Sequence, residues 1–340
     1  MARNTYGLDL GSYEIKVYDK KKDTIWKEKD VIAIANQREI FSVGDEAYEM
    51  YEKAPPNIEV IFPMKEGVIS RFNDMQFLLQ NLLKKGHQFA RGSEYVIAVP
   101  TDVTEVEKKA FFDLLIHSTA RAKEVNIVER AIADAIGLNL DVKNTKGLFI
   151  ANFGGETTEL SVLAGGGMVL NRLLKIGGAT FDQAVVGLIR HSHDFLVGRH
   201  TAEILRKSFG IFTSDSESVL TVAGRDLITG VPMQKGISIS IVRAAMKDPL
   251  LECIRAIQSL LDRTPPEVRK AIHENGIFLT GGIAHTAGLE TYIEEMVGIK
   301  TRTALEPDTC SVSGLKKVIM SKELRKLAYS MLDDKYRWMR

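Results

Sequence analysis

Residues 147–163 read GLFIANFGGETTELSVL: an apolar run, a glycine pair, and a second run that alternates apolar and polar. The residues before Gly154 and Gly155 read as a buried strand. Leu160, Val162 and Leu163 mark the returning strand of a hairpin that turns on glycine. The same pattern opens the chain, where Leu8, Leu10, Ile15 and Val17 alternate about Gly11 and Ser12. Two similar hairpins, each opening half of a 340-residue chain, predict a duplicated architecture. That length also exceeds what one hydrophobic core usually supports, so two lobes are expected. Glycine turns between strands are abundant, however, and the repeat by itself carries no function.

Outward from the hairpins, strands and helices alternate. NDMQFLLQNLLKK has a capping Asn73, apolar residues at helical spacing and Gly86 as terminator. EYVIAVP then reads as a buried strand. A helix is expected from about Val103 to Ala120, a short strand at Val125 to Val128, and a further helix in ERAIADAIG. Later, PPEVRKAI is a helix opened by Pro265 and Pro266, and GIFLTGGIAHTAGL is a strand running into a glycine turn and a helix. This order predicts an α/β fold with mostly parallel sheets, whose binding sites lie at the carboxyl ends of strands.

Hydrophobic residues make up 45% and charged residues 26%, with a formal net charge of +1, so nucleic acid is not an expected partner. Cys253 and Cys310 lie far apart in no metal-spaced cluster, which fits a reducing cytoplasm and core thiols. The sequence enters a strand almost at once and shows no apolar run of membrane-spanning length, so any membrane contact is expected to be peripheral.

Phosphate oxygens need close backbone approach and several amide donors, and a glycine turn after a strand supplies both because no Cβ intrudes. Gly11 with Ser12, and Gly154 with Gly155, are the candidates. Asp9 precedes the first turn, where its carboxylate either initiates the turn or holds Mg2+ through water. Lys16 is either an exposed strand residue or a point charge on the phosphates. Gly281 and Gly282 either approach an adenosine or form a plain strand-to-helix turn. His191 and His193 are read as a surface pair on a helix rather than metal ligands.

Taken in order, GLDLGS, NIEVIFPMKEGVISRF, NFGGETTE, KIGGATFDQAV, GRDLITGVP, TPPEVRKAI, GIFLTGGIA and DTC resemble the MreB-type bacterial actins over nearly the whole chain. The phosphate motifs alone would also fit DnaK-type chaperones and sugar kinases; Asn57 to Phe72 and Gly224 to Pro232 are the more specific blocks. The resemblance implies an actin-like ATPase fold of two similar, ribonuclease H-like lobes with a nucleotide cleft between them. The first lobe would span residues 1–145 with an insertion near 32–62, and the second 146–315 with an insertion near 183–245. Residues 316–340 would return to the first lobe. It further implies ATP or ADP with Mg2+ as cofactors, bound through Gly11, Ser12, Tyr13, Lys16, Gly154, Gly155, Glu156, Thr157, Gly281, Gly282 and Ile283. TAEILRK resembles the family's adenosine-contacting helix and would bring Glu203 and Arg206 to the ribose and base; otherwise it is an ordinary surface helix. The implied function is a head-to-tail homopolymer on the cytoplasmic face of the cell membrane. Such a filament would work with membrane proteins of the elongation machinery to organise cell-wall synthesis and cell shape.

Several positions depart from the family pattern. Where MreB relatives carry the glutamate that orients the attacking water, this chain has Arg130, and Glu129 one residue earlier is rotated by roughly 100° on a helix. A guanidinium offers no lone pair, so slow hydrolysis is expected. Asn152 replaces the family's metal-side Asp, Glu156 its third glycine, and Tyr13 and Glu14 its small and amide residues. Two segments are candidates for lipid contact: KKGHQFARG, through Phe89, and the tail KYRWMR. Leu324, Leu327, Ala328, Met331 and Leu332 are expected to form one helical stripe packed on the first lobe. A nonpolymerising ATP-bound adaptor resembling FtsA or PilM proteins, and a sugar-kinase-like phosphotransferase, are the alternative functions.

Overall fold

In the computed structural model, which describes residues 4–36, 39–84, 92–117, 122–213 and 218–332, the opening hairpin lies at the middle of a sheet. Strand β1 (Thr5–Leu10) is buried along its whole length and turns into β2 (Glu14–Asp19) and β3 (Thr24–Lys29). A small antiparallel sheet follows, made of β4 (Ile32–Ala35), β5 (Glu39–Val43) and β6 (Ile58–Ile61), with the short helix α1 (Asp45–Tyr48) between the last two. The two-residue strands β7 (Met64–Lys65) and β8 (Val68–Ile69) lead to α2 (Phe72–Lys84). Then come β9 (Glu94–Val99), α3 (Glu105–Ile116), β10 (Glu124–Glu129) and α4 (Arg130–Gly137).

The five long strands order as β10-β9-β1-β2-β3, with β1, β9 and β10 parallel. Leu8 and Leu10 join a core with Leu78, Phe111, Leu114 and Leu115 of α2 and α3. Gly7, on the opposite pleat, meets Leu315 and Ile319 of α10 (Cys310–Met320), so helices cover both faces. Helix α3 begins at Thr104 with a reciprocal cap: the Glu107 amide donates to Thr104 Oγ1, and the Thr104 amide donates to the Glu107 carboxylate.

The second hairpin founds a second sheet of the same design. Its strands are β11 (Leu148–Phe153), β12 (Thr158–Ala164) and β13 (Gly167–Leu174). There follow α5 (Gly178–His193), β14 (Phe195–Leu196), α6 (Arg199–Ser208), β15 (Val219–Asp226), β16 (Pro232–Ser238) and α7 (Ile239–Arg263). The chain then passes through α8 (Pro266–Asn275), β17 (Ile277–Thr280), α9 (Leu289–Val297) and β18 (Thr301–Thr303) into α10. The order β18-β17-β11-β12-β13 reproduces the first sheet, with an antiparallel hairpin and two further strands added in parallel. The duplication read from two glycine turns is therefore a duplication of topology. Strands β14, β15 and β16 form a separate three-stranded sheet.

The chain divides into two units: residues 1–145, 165–167 and 309–340, and residues 146–164 and 168–308. The return to the first unit is made by α10. Gly314 lies against Ala133 of α4, where an added Cβ would sit 1.8 Å from the Ala133 carbonyl oxygen. Lys317 holds the carboxyl end of α4 by donating to the carbonyls of Ile136 (2.9 Å) and Gly137 (2.7 Å). Beyond α10 the expected helical stripe is not formed. Leu324–Leu327 is one turn of 3-10 helix, and Tyr329 then exchanges two backbone hydrogen bonds with Ile127 on the edge strand β10 (2.7 and 3.0 Å). Ladder pairing satisfies the backbone there in place of a helical turn. Tyr329 and Met331 do pack on the first unit's core.

Candidate functional site

The register of the first sheet decides what meets the first glycine turn. Asp9 pairs with Ala98, and Ala98 with Val128, so Gly11, Pro100 and Arg130 all leave the sheet at the same level, two residues on. This is the carboxyl edge of three parallel strands, the place where such sheets bind ligands. The turn closes when the Gly11 amide donates to the Glu14 carbonyl (3.3 Å), and a Cβ at Gly11 would lie 2.9 Å from that same oxygen. Ser12 Oγ accepts from the Gly67 amide (3.0 Å), which ties the turn to the β7–β8 hairpin. The Tyr13 ring stands edge-on to Tyr48, with Lys29 Nζ 4.2 Å from its centroid.

Lys16 lies directly opposite Asp9 on the antiparallel ladder, with its Nζ 3.7 Å from Oδ2. Arg130, the first residue of α4, places Nε 3.5 Å from Asp9 Oδ1 and donates from Nη2 to the Leu10 carbonyl (3.3 Å). All three side chains are nearly buried, at 8% exposure for Asp9, 9% for Arg130 and 12% for Lys16. Glu129 precedes them as the cap residue of α4 and makes no side-chain capping bond.

In the second unit the turn closes through the Gly154 amide and the Thr157 carbonyl (2.8 Å). The start of α5 is fastened to it: the Gly178 amide donates to the Gly154 carbonyl (3.1 Å) and the Ala179 amide to that of Gly155 (2.7 Å). Contact is so close that a Cβ at Gly177 would lie 2.6 Å from the Thr157 amide nitrogen. Register pairs Asn152 with Thr280, which brings Gly281 and Gly282 to the same edge as Gly154 and Gly155. Gly281 has φ +85°, and a Cβ there would lie 2.3 Å from the Phe153 carbonyl oxygen and 2.8 Å from Asn152 Oδ1. Nothing surrounds a Cβ built at Gly282 within 4 Å. Buried Ile283 and Arg206 both converge on Gly178, at 3.2 and 3.5 Å from its Cβ position.

Arg206 is held by a partner that its own sequence neighbourhood does not announce. Its Nε and Nη2 grip both carboxylate oxygens of Asp182 on α5 (2.7 and 3.2 Å), a fork that fixes α6 against α5. Burial raises the Asp182 carboxyl above its ordinary range, while the Arg206 hydrogen bonds and charge pull it back down. Glu203 accepts from Lys207 Nζ (2.5 Å). Thr157 is buried, and Glu156 lies partly exposed at the turn. Gly177, Gly178 and Asp182 were the residues missed, although KIGGATFDQ carries the signal: a glycine pair opening a helix.

Asp9 is ion-paired with Lys16 and Arg130, and Asn152 offers an amide oxygen in place of a carboxylate. Among the described residues no cluster of His, Cys, Asp or Glu is arranged to hold a metal, and His191 and His193 lie on α5. Phe89 and the tail at 335–340 lie outside the described residues.

Comparison with known proteins gives a consistent picture. The family model described as MreB/Mbl protein matches residues 3–327. The cell shape-determining protein MreB of Escherichia coli (strain K12) is 33% identical over 323 residues, covering 92% of this chain and 92% of that one. A crystal structure of MreB5 of Spiroplasma citri bound to AMPPNP superposes with a TM-score of 0.90 at 27% identity, covering 96% of this chain and 98% of that one. A MamK double helical filament matches in fold, with a TM-score of 0.78 at 19% identity over 94% and 99% of the two chains.

Proposed function

Because the chain belongs to the MreB/Mbl family and has the actin-like fold, we propose that it is an adenine-nucleotide-binding cytoskeletal subunit that polymerises head to tail and serves cell-shape determination. The family match across residues 3–327 carries this reading. It is supported by the identity to a relative named as cell shape-determining and by the likeness to an MreB5 that binds AMPPNP. Within the chain, two tight glycine turns stand at the carboxyl edges of two topologically equivalent sheets, each with the close backbone approach that a phosphate oxygen requires. A heterologous contact that does not close upon itself generates an open filament. Peripheral contact with the inner face of the membrane completes the proposal.

Nucleotide turnover by this subunit is proposed to be slow. By the family resemblance Arg130 occupies the position of the water-orienting glutamate; a guanidinium cannot accept the water's proton, and this one contacts Asp9 and the Leu10 carbonyl. Losing a general base costs on the order of 10² to 10⁴ in rate. Pelleting and electron microscopy with ATP test the assembly, and phosphate release measured in the same samples tests the turnover. Filaments with little released phosphate are expected. Monomers that persist at saturating nucleotide would instead favour the adaptor reading, which the committed Arg130 also suits.

A further inference from the structure

The two glycine turns are alike in topology but are fastened by different means. The second closes at 2.8 Å and is held by backbone, since the start of α5 donates two amides to it at 3.1 and 2.7 Å. The first closes at 3.3 Å, a long bond across a residue that restrains the backbone least. Its further ties run outward to other elements. Besides the Ser12 contact with Gly67, the Tyr13 carbonyl accepts from the Asp30 amide at 3.1 Å. Lys29 of β3 lies opposite Glu14 on the ladder; its Nζ donates to the Glu14 carboxylate at 3.0 Å and stands 4.2 Å from the centre of the Tyr13 ring. Tyr48, the last residue of α1, meets the Tyr13 ring edge to face, at 5.8 Å and 80°. Lys29 Nζ also lies 5.8 Å from the centre of the Tyr48 ring, so one cation attends both aromatics. Tyr48 is itself well seated: it packs on the buried cluster around Ala47, Phe62 meets its ring at 84° and Tyr51 stacks on it at 18°.

We propose that Tyr48 is a positioning residue for the phosphates of a bound nucleotide: from the inserted sheet, and with Lys29, it braces the Gly11–Glu14 turn in the shape that presents the turn's amides. The Tyr13 ring and the Tyr13 amide belong to one residue, so a ring packed against Tyr48 and Lys29 limits the rotations that would swing the amide away. Where the binding-competent shape is only partly populated, apparent affinity falls by that fraction. A small side chain at position 13, which the resemblance gives as the family's usual residue, could not reach Tyr48. The inference rests on the nucleotide-binding reading and deepens it.

Calorimetric titration of the full chain with ATP in excess Mg2+ tests the brace, with the unfolding midpoint of each variant measured alongside. Tyr48→Leu and Tyr48→Met both remove the ring while keeping apolar volume, so one can be read should the other unfold. Each should weaken ATP binding about three- to tenfold, the span that loss of one aromatic contact covers. Tyr48→Phe keeps the ring and should bind within about twofold of the unaltered protein. Tyr51→Leu is the structural control: Tyr51 belongs to the same aromatic group through Tyr48 and Phe62, so its loss should lower the midpoint and leave ATP binding within about twofold. Unchanged binding in a folded ring-less Tyr48 variant overturns the inference and leaves nucleotide binding standing. Equal weakening by Tyr51→Leu overturns it too, because general loosening of the inserted sheet would then explain the effect. No heat from the unaltered protein overturns the nucleotide-binding reading as well.

Discussion

Gly281 and Gly282 are adjacent, and their surroundings separate a structural requirement from a binding one. Gly281 combines φ +85° with a Cβ position 2.3 Å from a carbonyl oxygen, so Gly281→Ala should destabilise the protein by about 1–3 kcal/mol and lower its unfolding midpoint. Gly282 has open space around its Cβ, so Gly282→Ala should leave the midpoint unchanged and weaken ATP binding, if the nucleotide occupies that space. Thermal unfolding and titration of both variants check the pair; a Gly282→Ala protein that binds ATP normally would remove this turn from the site. Such turns were legible in the sequence because paired glycines end a strand's run of packed side chains and let the backbone reverse. The partnership of Asp9 with Arg130 was not. It depends on the register of β1, β9 and β10, which brings together residues that no local pattern connects.

At the scale of elements, the crossing of α4 and α10 is set by small residues. A Cβ at Gly314 would meet the Ala133 carbonyl oxygen at 1.8 Å, and one at Gly137 would meet the Cys310 carbonyl oxygen at 2.3 Å. Gly314→Ala must push the helices apart, and a loss of about 1–3 kcal/mol is expected, read as a lower denaturation midpoint. Gly187, on α5, has nothing within 4 Å of its Cβ position, so Gly187→Ala should be neutral or stabilise by up to about 1 kcal/mol. Equal effects in the two variants would contradict this account of the crossing. Strong local signals announced most helices and strands, as Thr104 and Glu107 do for the start of α3. Pro249 does not end α7, which continues from Ile239 to Arg263 with Met246, Leu250, Cys253 and Ile254 on either side buried in the core. One element deceived the pattern. The apolar spacing after Glu323 reads as helical, yet the edge of β10 offers Tyr329 a ladder instead.

For the whole molecule, duplicated topology and family membership support the proposed assembly reading. No helix among the described residues is long and apolar enough to cross a membrane. The proposed peripheral attachment would act through short segments whose effect multiplies along a filament. Sedimentation with anionic liposomes should show Phe89→Ser pelleting less than the unaltered protein under filament-forming conditions. Equal pelleting would shift the contact to another segment, with the tail at 335–340 next to be tested.

The late return of residues 309–332 has a consequence for biosynthesis. The second unit is nearly continuous, so all its strands have been synthesised before α10 and Tyr329 are made. The half encoded later can mature first, reversing the amino-to-carboxyl order usual for nascent multidomain proteins. Until residues 309–332 are made and docked, the β10 border stays bare of Tyr329 and α4 lacks its Lys317 clasp, an interval in which chaperones or premature self-association compete for the incomplete half.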